Sequence, residues 1–310
     1  NGQIRKLTLS RKSELLKYSG QMEQEALRVL GFAFKNISAK QKVEENDLIF
    51  LGFVGMIDPP RPEVKGAIKQ CKDAGINIKM ITGDSLLTAI AIARQIGITG
   101  RAITGEELEN MSDSDLIKSI NDIEIFARTT PYQKLRITKI LQEKGEVVAI
   151  TGDGINDALA LKSANIGIAM GQRGTDVARD VSDIVLIDDN FASIVEGIKQ
   201  GRKTYDNIKK FTKFFLAVNF SEVFLVLFAL IMGMLYGSDK WFLPLLPLQI
   251  LWMNLVTDSL PALSLVFEEQ DSVMESKPRK EKSILSGIWK FVIIAGLLAF
   301  LSGSIVYSIG

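Results

Sequence analysis

The sequence contains no histidine, which removes imidazole general bases, Ser-His-Asp triads and His-ligated zinc in one step. Its one cysteine, Cys71, excludes an internal disulfide and says little about the compartment. Charge of either sign is not in excess: 37 basic and 36 acidic residues leave a net +1, so no global field points to nucleic acid as a partner. The N-terminus, Asn1-Gly2-Gln3-Ile4, has neither an initiator Met nor a signal-peptide pattern, so the chain reads as starting mid-protein. Its 310 residues suffice for two domains, each with its own core.

What is present divides sharply in hydropathy. Up to about Gln200, charged and apolar stretches alternate as in a soluble α/β protein, and beyond Phe211 come long apolar runs. Residues 1–50 read as the end of a domain, with helical apolar spacing over 22–30 and a strand over 29–34. A second short strand over 53–57 is stopped by Asp58-Pro59-Pro60-Arg61-Pro62, a stiff connector without regular structure. Residues 51–195 form the next domain. Helices are predicted over 63–74, 84–96 and 131–144, and strands over 76–81, 123–127, 147–150, 166–170 and 184–187, with a polar stretch at 104–120 left without a clear pattern. Short apolar strands alternating with amphipathic helices imply one parallel sheet covered on both faces. Ligands of such sheets sit at the C-terminal strand ends, where Thr82-Gly83-Asp84 and Thr151-Gly152-Asp153 both fall.

Three membrane spans are predicted, at roughly residues 211–235, 241–267 and 288–309, each near the ~20 residues that cross a bilayer. Lys199, Arg202, Lys203, Lys209 and Lys210 precede the first span, and Lys277, Arg279, Lys280 and Lys282 lie between the second and third. The link Gly237-Ser238-Asp239-Lys240 carries one lysine, so the positive-inside rule puts the α/β domain in the cytoplasm of a multi-pass membrane protein, expected in the cell membrane among its lipids. From Ile194 to Met232 the helical pattern is unbroken by proline and reads as a stalk over 196–236 running into the first span.

Thr151-Gly152-Asp153-Gly154-Ile155-Asn156-Asp157 follows an apolar strand, and its glycines allow a tight turn on which Asp153 and Asp157 converge. Two carboxylates beside the Asn156 amide suit Mg²⁺, a hard cation that keeps waters for a phosphoryl substrate. An Asp-rich turn that merely caps a helix has the same composition. Thr82-Gly83-Asp84 repeats the geometry and can offer a hydroxyl and backbone N–H groups to phosphate oxygens, although alone it is an ordinary cap. Lys134, at the start of a helix after Pro131, could neutralise a phosphoryl group or simply be solvated.

Taken together, Thr82-Gly83-Asp84, Lys134 and Thr151–Asp157 followed by Ala158-Leu159-Ala160-Leu161-Lys162 resemble the second, third and fourth motifs of haloacid-dehalogenase-like phosphotransferases. Asp58-Pro59-Pro60-Arg61 and Ile166-Gly167-Ile168-Ala169-Met170-Gly171 narrow the resemblance to P-type cation-transporting ATPases, over essentially the whole chain. The resemblance implies a haloacid-dehalogenase-like, Rossmann-like α/β phosphorylation domain with α-helical transmembrane segments. It makes residues 1–50 the end of a nucleotide-binding domain, and 196–236, 241–267 and 287–310 the fifth, sixth and seventh membrane helices. It implies that Thr82, Gly83, Asp84 and Lys134 contact the phosphorylated residue and nucleotide, and that Asp153 ligates Mg²⁺ with Asn156 and Asp157 completing that site. Arg28 would contact ATP. The family's Asp-Lys-Thr-Gly-Thr motif is absent, and without its aspartate no aspartyl-phosphate forms on this chain. The chain is therefore read as part of a pump whose N-terminal part is a separate partner: a truncated gene, half of a split protein or an engineered piece, inactive alone.

The first span carries Asn219 and Glu222, and the second Asn254, Thr257 and Asp258, each set at helical spacings of three or four. Pro261 frees carbonyls nearby. Carboxylates, amides and a hydroxyl make an oxygen cage that suits Ca²⁺, while interhelical hydrogen bonding is the plainer use of Asn219 or Thr257 alone. Asn219-x-x-Glu222 and Asn254-Leu255-Val256-Thr257-Asp258 are similar to ligands of sarcoplasmic-reticulum-type calcium pumps, although Phe220 and Ser221 differ from the usual small pair. Mn²⁺, Na⁺ or K⁺ as cargo, and a membrane-embedded piece without turnover, stay open as alternatives.

Overall fold

The computed structural model describes residues 4–36, 45–236, 245–267, 274, 278 and 283–309. It forms two compact units, Asn1–Val195 and Glu196–Gly310.

The first unit begins with helix α1 (Leu9–Gln24), whose N-terminus is capped by the Thr8 side chain on the Arg11 N–H. The helix stops short of the predicted residue 30. Ala26 takes a positive φ of 65°, which no helix tolerates, and Arg28 already pairs with Met56 in an antiparallel ribbon of β1 (Arg28–Phe34) and β2 (Ile49–Met56). After the proline-rich connector, Pro62 sits in the first turn of α2 (Pro62–Asp73), where its missing N–H costs nothing.

Then follow β3 (Met80–Ile81), α3 (Leu86–Ile96), β4 (Arg101–Thr104), α4 (Gly105–Asn110), α5 (Asp113–Ser119), β5 (Ile123–Ala127), α6 (Pro131–Glu143), β6 (Ala149–Gly152), α7 (Ala158–Ser163), β7 (Ile166–Met170), α8 (Asp176–Val181) and β8 (Ile184–Leu186). The α/β class with parallel strands holds, with every strand pair in this region parallel. One continuous sheet, however, does not form among the described residues. There are two three-stranded sheets, ordered β3-β5-β4 and β6-β7-β8. The two edge strands that carry the Thr-Gly-Asp motifs, β3 and β6, each bond to a neighbour on one side only. The ladder of β3 is limited to Met80 and Ile81, opposite Ile125 and Phe126, rather than the predicted run from 76.

The polar stretch 104–120 proves to be helical because its ends are capped. Thr104 and Glu107 form a reciprocal capping box on α4, and Ser112 caps α5. These helices bury Leu108, Leu116 and Ile120 with Ile103, Phe126, Ile137 and Ile140 on one face of β5. Ile125 and Ala127 point to the other face, into Ile68, Ala89, Ala93 and Ile98 of the α2–α3 side. The β6-β7-β8 sheet has a smaller core of Leu161, Ala169 and Ala178, and Val147, Ile166, Ile184 and Val185 remain exposed.

Helix α9 (Phe191–Tyr236) opens in the last residues of the first unit and runs 46 residues without a break, about 70 Å at 1.5 Å per residue. It contains the predicted stalk and first span as one element. In the second unit α9 packs on α12 (Trp289–Ile309), with the Phe300 ring 6.1 Å from Phe224 and 5.7 Å from Phe228. Among the described residues these are the two helices long and apolar enough to cross a membrane. The predicted second span is not one helix: α10 (Pro247–Trp252) passes into a π-helical turn at Met253–Thr257, then α11 (Ser259–Ser264) and a 3₁₀ turn at Leu265–Phe267. The wider turn is closed by Asp258 N–H donating to the Met253 carbonyl at 2.9 Å. The link at 237–240 and the basic residues Lys277, Arg279, Lys280 and Lys282 lie outside the described residues.

Candidate functional site

At the end of β3, the Thr82 hydroxyl donates to Asp84 Oδ2 at 2.8 Å and accepts from the Asp84 N–H at 3.1 Å, so the motif is folded on itself. It is also tied to the end of β5. Thr82 N–H donates to the Phe126 carbonyl, and the Thr82 carbonyl accepts from both the N–H and the hydroxyl of Thr129 at 3.0 Å. Ser85 then caps α3 and donates to Glu23 of α1.

Lys134 is placed by a capping box that lies just outside the motifs. The Thr130 side chain accepts the Gln133 N–H, and Gln133 Oε1 accepts the Thr130 N–H at 3.0 Å. Gln133 is buried and its amide also reaches the Gly105 carbonyl. The T-x-x-Q spacing was legible as a capping signal and not as part of a site. From this rigid first turn of α6, Lys134 Nζ donates to Asp157 Oδ1 at 2.6 Å, with both side chains mostly shielded from water.

Asp157 is thus committed to Lys134. Its second oxygen faces the Asp153 and Gly154 N–H groups at 3.4 Å. The turn closes because residue 152 is glycine: a Cβ there would lie 2.5 Å from the Cβ of Asp157. Asp153 and Asn156 are exposed. The donors here are all oxygens, and the Asp153 carboxylate makes no hydrogen bond among the described residues, so the set fits a hard divalent cation that keeps most of its waters. Asp153 would hold such an ion, and Asp157 would orient Lys134 beside it. No described cluster of three or more acidic, Cys or His residues adds further ligands.

The sites are only partly assembled. Lys134 meets Asp157 and Thr82 meets Asp84, and both pairs are tied to the β5–α6 corner. Arg28 is exposed at the start of the β1–β2 ribbon, with no described side-chain bond to either pair.

In the second unit, Glu222 and Asp258 are buried, at 8% and 5% exposure, although the helices around them are apolar. One oxygen of each, Glu222 Oε1 and Asp258 Oδ2, has no hydrogen-bond partner among the described residues. Asn219 and Asn254 donate their amides back to carbonyls four residues earlier, Phe215 at 2.8 Å and Ile250 at 3.1 Å, which leaves their side-chain oxygens available as acceptors. The π-helical turn carries Asn254 and Thr257, and Thr257 is exposed.

Family comparisons match two separate parts of the chain. Residues 17–165 match the haloacid dehalogenase-like hydrolase family, and residues 242–310 match the cation transporting ATPase C-terminus. A domain of the first kind followed by the second defines the class. The chain is 47% identical to "Calcium-transporting ATPase 1" of Bacillus cereus over 99% of its length, which is 36% of that protein. It is 43% identical to the "Calcium-transporting ATPase" of Bacillus subtilis (96% of this chain, 34% of that one) and 41% identical to "Calcium-transporting ATPase 3, endoplasmic reticulum-type" of Arabidopsis thaliana (94% and 30%). The chain is a P-type calcium-ATPase-like protein, spanning about a third of the length of the curated relatives it matches. The two membrane-length helices among its described residues and its match to the ATPase C-terminus make it membrane-associated.

Proposed function

We propose that this chain forms the phosphorylation and ion-binding parts of an ATP-driven Ca²⁺ pump, with the phosphorylated aspartate supplied from outside these residues. The observation that carries the ion site is the pair of buried carboxylates, Glu222 and Asp258, each with an unpartnered oxygen in apolar helices. Burying such groups is costly, and a divalent cation offsets that cost directly. Asn219, Asn254 and Thr257 complete an oxygen-only set, which favours Ca²⁺ over softer metals.

On the soluble side, Lys134 faces the developing charge of a transferring phosphoryl group, and the Thr82 hydroxyl and the Gly83 N–H hold its oxygens. Asp153 binds Mg²⁺, which supplies charge neutralisation at the phosphoryl oxygens, while Asn156 and Asp157 keep that site in order. Arg28 contacts the nucleotide. The α/β domain lies in the cytoplasm, and α9 couples ion occupancy to phosphorylation along its continuous length.

The test is equilibrium binding of labelled Ca²⁺ to membranes holding the parent protein and its Asp258→Asn variant. The reading expects saturable binding that the variant loses. Equal binding by both would remove Asp258 from the site. Displacement by Mn²⁺, Na⁺ or K⁺ at lower concentration than Ca²⁺ would reassign the cargo.

A further inference from the structure

Residues 171–175, between β7 and α8, form a strap held at three points. On one side, the two oxygens of Asp189 accept successive N–H groups, Gln172 at 2.9 Å and Arg173 at 2.8 Å. Near the other end, the Arg179 guanidinium donates to the carbonyls of Gly171, at 3.0 Å, and Gly174. The strap is tightly folded, since a Cβ at residue 174 would collide with the Met170 carbonyl. Its last residue, Thr175, donates its N–H to the Asp153 carbonyl at 2.8 Å. The strap therefore bonds directly to the residue read above as the Mg²⁺ ligand.

Asp189 itself is unusual. It is buried and holds φ at +50°, a region that non-glycine residues enter at a cost. It also lies two residues before the first residue of α9, in a turn where Asp188 accepts from the Ser193 hydroxyl at 2.6 Å and Asn190 accepts from the Ala192 N–H. Arg61 of the proline-rich connector reaches the Asp188 carbonyl at 3.4 Å. A strained acid at the head of the long helix thus grips the strap whose far end grips Asp153.

We propose that Asp189 is a positioning residue for Asp153, acting through strap 171–175, so that the start of α9 and the cation-facing turn move as one mechanical unit. Arg179 serves the same strap from its other side. The inference rests on the reading of Asp153 as the Mg²⁺ ligand, and it adds the route by which the head of α9 fixes that ligand.

The experiment is hydrogen exchange followed by mass spectrometry on the parent protein in detergent, comparing wild type with Asp189→Asn and Arg179→Gln. Asn fits the same backbone region and the same volume, but it offers one acceptor oxygen where Asp189 uses two, and its NH₂ donor replaces the other. The expected result is exchange accelerated about fivefold or more in residues 151–157 as well as 171–175, with β3-β5-β4 unchanged. Acceleration confined to 171–175 would mean that the strap is local structure only, and the proposal fails. Should Asp189→Asn unfold the unit, Arg179→Gln decides the matter by the same criterion. Mn²⁺, added as a probe for Mg²⁺, should slow exchange in 151–157 of wild type and need a severalfold higher concentration in either variant. If Mn²⁺ leaves wild type unchanged, the Mg²⁺ reading of Asp153 falls, while the metal-free comparison still decides whether the strap couples.

Discussion

Lys134 Nζ stands 2.6 Å from Asp157 Oδ1, joining the first turn of α6 to the turn that follows β6. Of the ion pairs described, it is the one that links the β3-β5-β4 sheet, through the helix after β5, to the β6-β7-β8 sheet. Removing the lysine leaves a shielded carboxylate that keeps only long contacts to two N–H groups. Lys134→Met should therefore lower the stability of the α/β unit by about 1–3 kcal/mol, and Lys134→Met/Asp157→Asn should recover part of that loss. Urea titration of the single and double variants checks both. Additive losses would show that the pair contributes no coupling energy.

Lys79 makes a second prediction. Its ammonium donates to the Ile120 carbonyl at 2.5 Å and the Ile123 carbonyl at 2.6 Å, stapling the turn before β5. Burial pushes its pKa below the ordinary 10.5, with Glu124 working against that shift. A lysine with a lowered native pKa binds its proton less tightly folded than unfolded. Its contribution to stability therefore improves as pH rises from that lowered value toward 10.5. Lys79→Met abolishes this alkaline gain and, by stranding two carbonyls with partial access to water, costs about 1 kcal/mol near neutral pH. Denaturant midpoints at neutral and alkaline pH separate the two effects.

Asp188 and Asp189 set the behaviour in acid. The Ser193 hydroxyl, and then the Asn190 N–H, hold Asp188 below the usual 3.8, and the Gln172 and Arg173 N–H groups do the same for Asp189. Because the native values are the lower ones, the unfolded chain takes up protons first as pH falls. The stabilisation is complete above 3.8 and is lost as pH drops from there through the native values. Asp189→Asn should flatten this acid limb and start from a lower stability at neutral pH. An acid limb of unchanged slope would mean that other carboxylates set it.

Arg136 should matter to the fold and not to chemistry. Its guanidinium bonds the Leu108 and Met111 carbonyls at 2.8 and 2.6 Å and pairs with Asp113, closing the end of α4 and the start of α5. Arg136→Ala is expected to cost about 1–3 kcal/mol in thermal or urea unfolding. In the parent protein, phosphoenzyme formed per folded molecule should be unchanged.

These features were not equally legible in the sequence. Asp153 stands in a short motif whose composition suggests its chemistry, whereas Thr82 and Lys134 read alone as a cap and a solvated lysine and were nominated only by the resemblance of the motifs taken together. The helices α4 and α5 were lost in a polar stretch, although Thr104-x-x-Glu107 carries the spacing of a cap, and β4 just before it was passed over. Periodicity could not show that the predicted sheet divides at β3 and β6, because strand order is set by which edges find partners and not by the apolar pattern of each strand. The grip of Asp189 on Gln172 and Arg173 spans 17 and 16 residues, beyond any local motif. In the second apolar run, hydropathy predicted one span and overlooked the π-helical turn, since composition reports burial and not the winding of the backbone.

The central claim is tested most directly by acid-quenched phosphoenzyme formation from labelled ATP on membranes holding the parent protein, with and without micromolar Ca²⁺. The account predicts label that appears only with Ca²⁺ and is lost in Asp258→Asn. Label that ignores Ca²⁺ and follows another cation would contradict the assignment of the membrane carboxylates to Ca²⁺.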